Sequence, residues 1–325
     1  MAGRMREAGA REVDVRPYEY SQTYAHAHAL HLAAALAGRA PALAALVSFD
    51  LDFSGRNQWT RRFLPTGEGA YVVGRVPARG EKERTLVLVS HHDAANTGLV
   101  WRLPLSVPLG PTHIVPSFAL LPELAMLIRA VGPRRLRPLT TVVLLANLLL
   151  LADVARSPVV PGANDDATGV AGMLALLEEW APKGLPGTEL VTVSTGSEES
   201  GMGGMAAWMR AEGASLDPAR TLLLSLDTLG SGEPIVASGE GLTSSYRAED
   251  LEWVPVEVPR VRLGGWTDAL LARYAGLPAI SMLSQGPKGG FTNYHLPSDV
   301  PDNVDYGSVE RCLALARTIG LGFSS

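Results

Sequence analysis

Three stretches of this chain are apolar almost without a break, and each runs into a residue able to bind a metal or carry a proton. Thr85-Leu-Val-Leu-Val89 passes through Ser90 to His91, Leu190-Val-Thr-Val193 leads through Thr195-Gly196-Ser197 to Glu198, and Thr221-Leu-Leu-Leu-Ser-Leu226 ends at Asp227. A strand with one wet face alternates polar and apolar residues. Runs without alternation belong to strands buried on both faces, as in an α/β sheet covered by helices. The ends of such strands converge at the carboxyl edge of the sheet, where open α/β folds build their sites.

Read in order, the polar residues at these ends and beyond are Ser90-His91-His92-Asp93, Gly162-Ala163-Asn164-Asp165-Asp166, Glu198-Glu199, Asp227 and His295. Imidazole and carboxylate suit Zn²⁺ and similar divalent ions, and a set without cysteine argues against a closed structural zinc site. Asp165 stands where a helical pattern begins, with Val170, Met173, Leu174 and Leu177 on one face and Gly184 beyond its end. Gly201, Gly203 and Gly204 follow the paired glutamates and allow close backbone approach. The arrangement reads as a hydrolytic metal centre with a carboxylate to spare.

These motifs resemble those of the M28 family of zinc aminopeptidases, whose relatives include the glutaminyl cyclases. The likeness runs over roughly residues 68–315, apart from one insert, and rests on SHHD, PGANDDATGVAGMLALLEE, STGSEESGMGG, LSLDTLG, GGWTDALLARYAGLPAI and NYHLPSDVPDNVD in family order. It implies a three-layer α/β fold, a mixed and mostly parallel central sheet with helices on both faces. It also implies two zinc ions bridged by Asp165, one completed by His91 and Asp227 and the other by Glu199 and His295, with Glu198 off the metals as general base. Asp93 falls where the family keeps a carboxylate that orients the first histidine. Thr267-Asp268 takes the place of a Ser-Asp pair and keeps a hydroxyl near His295. Asp166 reads as a supporting carboxylate, His92 as a strand-end neighbour, and the Asp165-Asp166 peptide bond is expected to be cis. The implied activity is removal of the amino-terminal residue of a peptide, with water losing its proton to Glu198. A one-zinc glutaminyl cyclase and a non-catalytic scaffold share the fold, and the complete ligand set points away from both. The sequence carries no residue that selects an aminopeptidase over a carboxypeptidase or dipeptidase.

Composition narrows the rest. Motifs spread through 325 residues suggest one catalytic domain, 1–325, acting on a peptide substrate. A formal net charge of −5 without a long basic run argues against nucleic acid. Cys312 is the only cysteine, which excludes an internal disulfide framework, and Met1–Arg16 is charged with no apolar core, so cytoplasmic location is the expectation. The Ala-rich stretch Leu30–Val47 reads as a helix covering the sheet, and Gly74–Arg84 as a hairpin loop between the first two strands. His26, His28 and His31 tempt a second metal site, but residues two apart do not share a helical face, and a solvated helix is expected. Of Trp101, Tyr246, Phe291 and Tyr294, only Tyr294, beside His295, is assigned to substrate.

His91 and Asp165 are 74 positions apart, where relatives need far fewer. The excess, residues 101–155, opens with a Pro-rich stretch, Trp101–Pro116. Two apolar legs follow, Phe118–Val131 and Leu139–Ala155, joined by Gly132-Pro133-Arg134-Arg135-Leu136-Arg137-Pro138. Glu123 and Arg129 interrupt the first leg and Asn147 and Asp153 the second, short of the ~18 uncharged residues of a membrane span. A helical hairpin packed on protein is expected, as a lid or as the surface of a homodimer.

Overall fold

Leu86 and Leu88 turn to one side of their strand and Val87 and Val89 to the other, and all four are fully buried. That is the signature of a strand covered on both faces. The computed structural model describes residues 1–103, 106–108, 113–241, 243–287 and 289–325, with 106–108 and 113–120 as backbone only. The chain opens with α1 (Ala2–Glu7), β1 (Glu12–Ser21), α2 (Tyr24–Leu36), α3 (Arg39–Phe53), β2 (Thr66–Val76), β3 (Arg79–His91) and α4 (Leu99–Arg102). The insert supplies β4 (Ser106–Pro108), β5 (His113–Pro116), α5 (Ser117–Val131) and α6 (Arg137–Val154). Then come α7 (Thr168–Trp180), β6 (Pro186–Thr195), α8 (Gly203–Ala211), β7 (Thr221–Leu226), β8 (Glu233–Glu240), β9 (Ser244–Ser245), β10 (Arg260–Leu263), α9 (Ala269–Tyr274), β11 (Ala279–Gln285) and α10 (Tyr306–Phe323).

The strands join in the order β1-β2-β6-β3-β7-β11-β8-β10-β5-β4, with β9 on β8. The central run β6-β3-β7-β11 is parallel, with Val87 level with Val191 on one side and Leu223 on the other. Parallel strands in register bring His91, Thr195 and Leu226 to one edge. Helices α1, α7 and α10 cover one face through Met5, Met173, Leu177 and Ile319, and α8 and α9 cover the other through Met205, Trp208 and Leu270. This is the three-layer arrangement expected of the sequence. Gly74–Arg84 is not a hairpin: the tight link at Pro77-Ala78 joins β2 to β3, but β6 lies between them and pairs with both.

A third core belongs to α2, α3, α5 and α6, which pack as a four-helix bundle around Leu32, Phe49, Met126 and Leu144. The Leu30–Val47 stretch is therefore two helices, broken at Ala37-Gly38, that pack on the inserted hairpin and not along the sheet. Arg39 Nε donates to the Ala130 carbonyl at 3.0 Å and its Nη2 to those of Val131 and Gly132, satisfying acceptors that the end of α5 leaves open. Both turns of the bundle thus share one end. At the opposite end Phe49 and Phe53 meet Trp266. The described parts of the Pro-rich stretch form α4, β4 and β5, and the rest lies outside the described residues; β5 pairs with β10 and widens the sheet. At its neck the insert is zipped shut: Val160 N donates to Ala95 O at 2.9 Å, Thr97 N to Pro158 O at 3.0 Å and Asn96 Nδ2 to Ser157 O at 2.9 Å.

The solvated reading of the α2 histidines holds only for His26. His28 and His31 are buried, because one turn apart they both face α3. His31 donates from Nδ1 to Ala27 O and accepts at Nε2 from Ser48. His28 lies against Phe49 at 4.7 Å and Phe53 at 5.5 Å, and its Nε2 has no partner among the described residues. Burial, helped by His31, pushes its imidazole from 6.5 down to about 3. The folded chain then holds this ring neutral while the unfolded chain protonates it, so its share of stability is full above pH 6.5 and is lost as the pH falls. His28→Phe should gain on the wild type by roughly 2–3 kcal/mol between neutral pH and about pH 4, read from paired denaturant titrations; a constant difference would show that His28 does not titrate in this window.

Candidate metal centre

His91 closes β3, and its Nε2 lies 3.2 Å from Asp165 Oδ1. The other oxygen of Asp165 is 3.2 Å from His295 Nε2, which is 3.1 Å from Glu199 Oε2. Ligand atoms of His91, Asp165 and Asp227 fall within 4.8 Å of one another, and so do those of Asp165, Glu199 and His295. Asp165 belongs to both groups. These are the five residues, in the two sets, that the resemblance implies. His92 stands outside both and meets Ser194 Oγ at 2.9 Å.

The donor set suits divalent cations. Glu199 Oε1 and His295 Nδ1 are buried without a hydrogen-bond partner among the described residues. Burial, and then repulsion among neighbours, pushes the carboxyls of Glu198 and Asp227 up, and those of Glu199 and Asp268 to about 7. Burial opposes charge on His295, but Glu199 and Asp165 outweigh it and hold its imidazole at about 9. A dry site with this surplus of carboxylates is costly unless positive charge enters it.

The surroundings hold these groups in place. Asp166 accepts from Ser90 Oγ at 2.8 Å, His91 N at 3.1 Å, and Gly169 N and Thr228 N at 3.0 Å. It ties β3, α7 and the residue after Asp227 together. The Asp165-Asp166 bond is cis, as expected, and Gly162 before it has φ +68°. Asp299 accepts from Asn164 N at 2.7 Å and Asp165 N at 3.2 Å. Asp93 meets His91 Nδ1 with its carbonyl oxygen at 3.1 Å and its carboxylate at 3.5 Å, and the carboxylate also braces the glutamates, accepting from Glu198 N at 3.1 Å and Glu199 N at 3.2 Å. Ser197, Thr228 and His295 all have φ between 52° and 55°, a conformation that non-glycine residues adopt at a cost and that clusters at functional sites. A Cβ on Gly204 would stand 2.6 Å from Gly196 O, so the glycines after the glutamates do permit a close approach.

Thr267 departs from expectation. Its hydroxyl does not reach His295 but donates to Glu240 at 2.7 Å, and its amide donates to the same carboxylate. Glu240 is wholly buried and takes these bonds and one from Tyr246, which does not line the cavity over the site. Neither pattern nor spacing in the sequence marks Glu240, which closes β8. Asp268 accepts from Thr195 Oγ1 and adds its charge beside Glu198. Tyr294 stacks on His295 at 3.8 Å and Trp101 meets the same ring edge-on at 4.1 Å.

A cavity of about 510 Å³ opens over these residues. Tyr24, His28, Phe53 and Trp266 wall it from the base of the bundle, and Tyr294 and Phe291 from the other side. The family model for Peptidase family M28 matches residues 147–319, more than half of the chain and including Asp165, Glu198, Glu199, Asp227 and His295. The chain belongs to peptidase family M28. Among solved structures this M28 chain is similar to the Bacteroides thetaiotaomicron glutaminyl cyclase bound to N-acetylhistamine, at 12% identity over 98% of this chain and 86% of that one, with a TM-score of 0.53. A leucine aminopeptidase precursor from Bacteroides thetaiotaomicron VPI-5482 gives 12% identity, the same coverage and a TM-score of 0.52. Both likenesses concern the fold. The aminopeptidase from Aneurinibacillus sp. strain AM-1 aligns at 20% identity over 79% of this chain with a TM-score of 0.48; this chain covers 48% of that protein, about half its length. No curated protein matches the sequence.

Removing the carboxylate that ties the M28 centre together isolates its structural part. Asp166→Ala strands three buried amides and a hydroxyl and should cost on the order of 3–5 kcal/mol in metal-free protein, with Asp166→Asn, which keeps an acceptor oxygen, costing less. Denaturant midpoints check both, and equal losses would discount the hydrogen bonds as the cause.

Proposed function

We propose that the chain is a metal-dependent aminopeptidase using two zinc ions. The observation that carries this is the pair of ligand groups sharing Asp165, with Glu198 adjoining Glu199 but outside both groups. Cations held by His91, Asp165 and Asp227 and by Asp165, Glu199 and His295 would supply polarisation of a carbonyl and acidification of water. Glu198 takes the proton of the attacking water and returns it to the leaving amine. Without metal, burial and the carboxylates of Asp268, Asp227 and Glu199 push its carboxyl up against the opposing effect of His91; bound cations would counter that shift and favour the carboxylate a general base needs. Asp93 fixes the backbone of both glutamates, so base and ligand keep their separate directions.

The carboxylate surplus suits a free α-amine on the substrate, and the aromatic walls suit the side chain beside it. Desolvating an apolar side chain there favours bulky amino-terminal residues. An aminoacyl-anilide panel, extended by amino-terminal Gln peptides, tests the reading. Release of ammonia from the Gln peptides without hydrolysis of the anilides would replace it with glutaminyl cyclisation.

Glu198→Gln should keep zinc content near the wild-type two per chain and lower turnover by about 10²–10⁴-fold or more. Glu199→Ala should lower zinc content instead, measured by elemental analysis after dialysis. Full turnover in the Gln variant would take Glu198 out of the mechanism.

A further inference from the structure

The four-helix bundle carries apolar side chains outside as well as within. Along α5, Leu121, Leu124, Leu127 and Val131 are 42–64% exposed, and along α6, Leu139, Val142, Leu145 and Leu149 are 48–75% exposed. Spacings of three and four residues keep each set on one face. Leu43 and Val47 on α3 and Leu30 on α2 continue the surface. From Leu139 to Val154 every exposed residue is apolar.

The polar residues that count against a membrane in the bare sequence are each buried or hydrogen-bonded within the chain. Glu123 is buried. Arg129 donates to Leu36 O at 2.6 Å and to Thr141 Oγ1 at 2.8 Å. Asn147 bonds back to Val143 O, and Asp153 accepts from Leu99 N at 2.7 Å. The helical stretch Arg134–Val154, 21 residues with a mean hydropathy of 1.6, is long and apolar enough to cross a membrane by length and composition, although its uncharged run, between Arg137 and Asp153, stays short of 18 residues. Only 28% of its apolar window is buried, whereas the core helix of a globular protein is mostly buried.

Charge selects the occupant of this surface. The shared end of the bundle carries Arg39, Arg134, Arg135 and Arg137, all exposed. No acidic residue lies between Glu19 and Asp50 or between Glu123 and Asp153, although the whole chain is net −5. A second copy of the bundle would bring these arginines no anionic partner; phospholipid headgroups would. We infer that the outer face of the bundle docks into an anionic phospholipid bilayer, with its aliphatic side chains at the acyl boundary and the arginines at the headgroups. The inference is independent of the catalytic reading.

Flotation of the full chain with vesicles in detergent-free buffer tests it. The wild type should float with vesicles of phosphatidylcholine plus phosphatidylglycerol and be released by salt. Replacing the exposed side chains by Val142→Ser, Leu145→Ser and Leu149→Ser should abolish flotation without lowering the thermal midpoint in the absence of lipid. Arg134→Gln, Arg135→Gln and Arg137→Gln together should weaken partition into the anionic vesicles on the order of a hundredfold, with little effect on phosphatidylcholine alone. A wild type that stays in solution beside anionic vesicles overturns the inference. If that protein is also a dimer by light scattering, and the serine variant a monomer, the surface belongs to a second copy.

Discussion

Asp166 sits where three elements would otherwise drift apart. Three backbone amides and one hydroxyl point at a single buried carboxylate, from the end of β3, the first turn of α7 and the residue after Asp227. Parallel strands fix direction and register along the sheet but not how the loops leaving it lie across one another. Asp166 supplies that missing restraint. Its neighbour Asp165 then has one direction open to it, between His91 and His295, and Asp299 holds the amides on the other side. The placement of the candidate metal ligands follows from a residue outside both groups.

The segment before the family-matched residues also reaches the site. Asp52, at the end of α3, pairs with Arg61 at 2.7 Å in a buried contact, and Arg61 donates to the Ser200 carbonyl. Tyr20 and Gln58 donate to Gly201 O at 2.6 and 2.8 Å. The turn after Glu198 and Glu199 is therefore held from behind by the amino-terminal segment and from within by Asp93. A buried ion pair in this setting serves placement more than stability, because the cost of desolvating two charges offsets most of their attraction.

How much of this the sequence shows depends on whether a feature is written in a local pattern. The strands are readable because burial on both faces leaves no polar residue along β3 from Leu86 to Val89 or in β7 outside its serine and threonine. The candidate metal ligands are readable because they stand in family order, several at strand ends, and the fold brings them together. Glu240 is invisible, since a lone carboxylate on a strand looks solvated until Tyr246, six residues on, and the more distant Thr267 fold onto it. The insertion of β6 between β2 and β3 is equally hidden, as a two-residue link suits a hairpin whatever strand arrives later. His28 and His31 read as wet because the helix facing them, α3, is recognisable only once Gly38 is seen to reverse the chain. In the insert, the sequence shows which residues are charged, and only the packing shows which way they point.

The hydrogen-bonded neck of the insert changes what the long separation of His91 from Asp165 means for the chain. An open loop of 74 residues would have to close each time these two groups met, although the entropic penalty grows slowly, by about 0.6 kcal/mol per doubling of length. With Ala95, Asn96 and Thr97 zipped to Ser157, Pro158 and Val160, the free path between the ligands shrinks to a few residues on either side of the neck. The bundle then hangs outside that short circuit, so its length and sequence can vary, or its surroundings change from water to lipid, without lengthening the loop that sets the distance between His91 and Asp165.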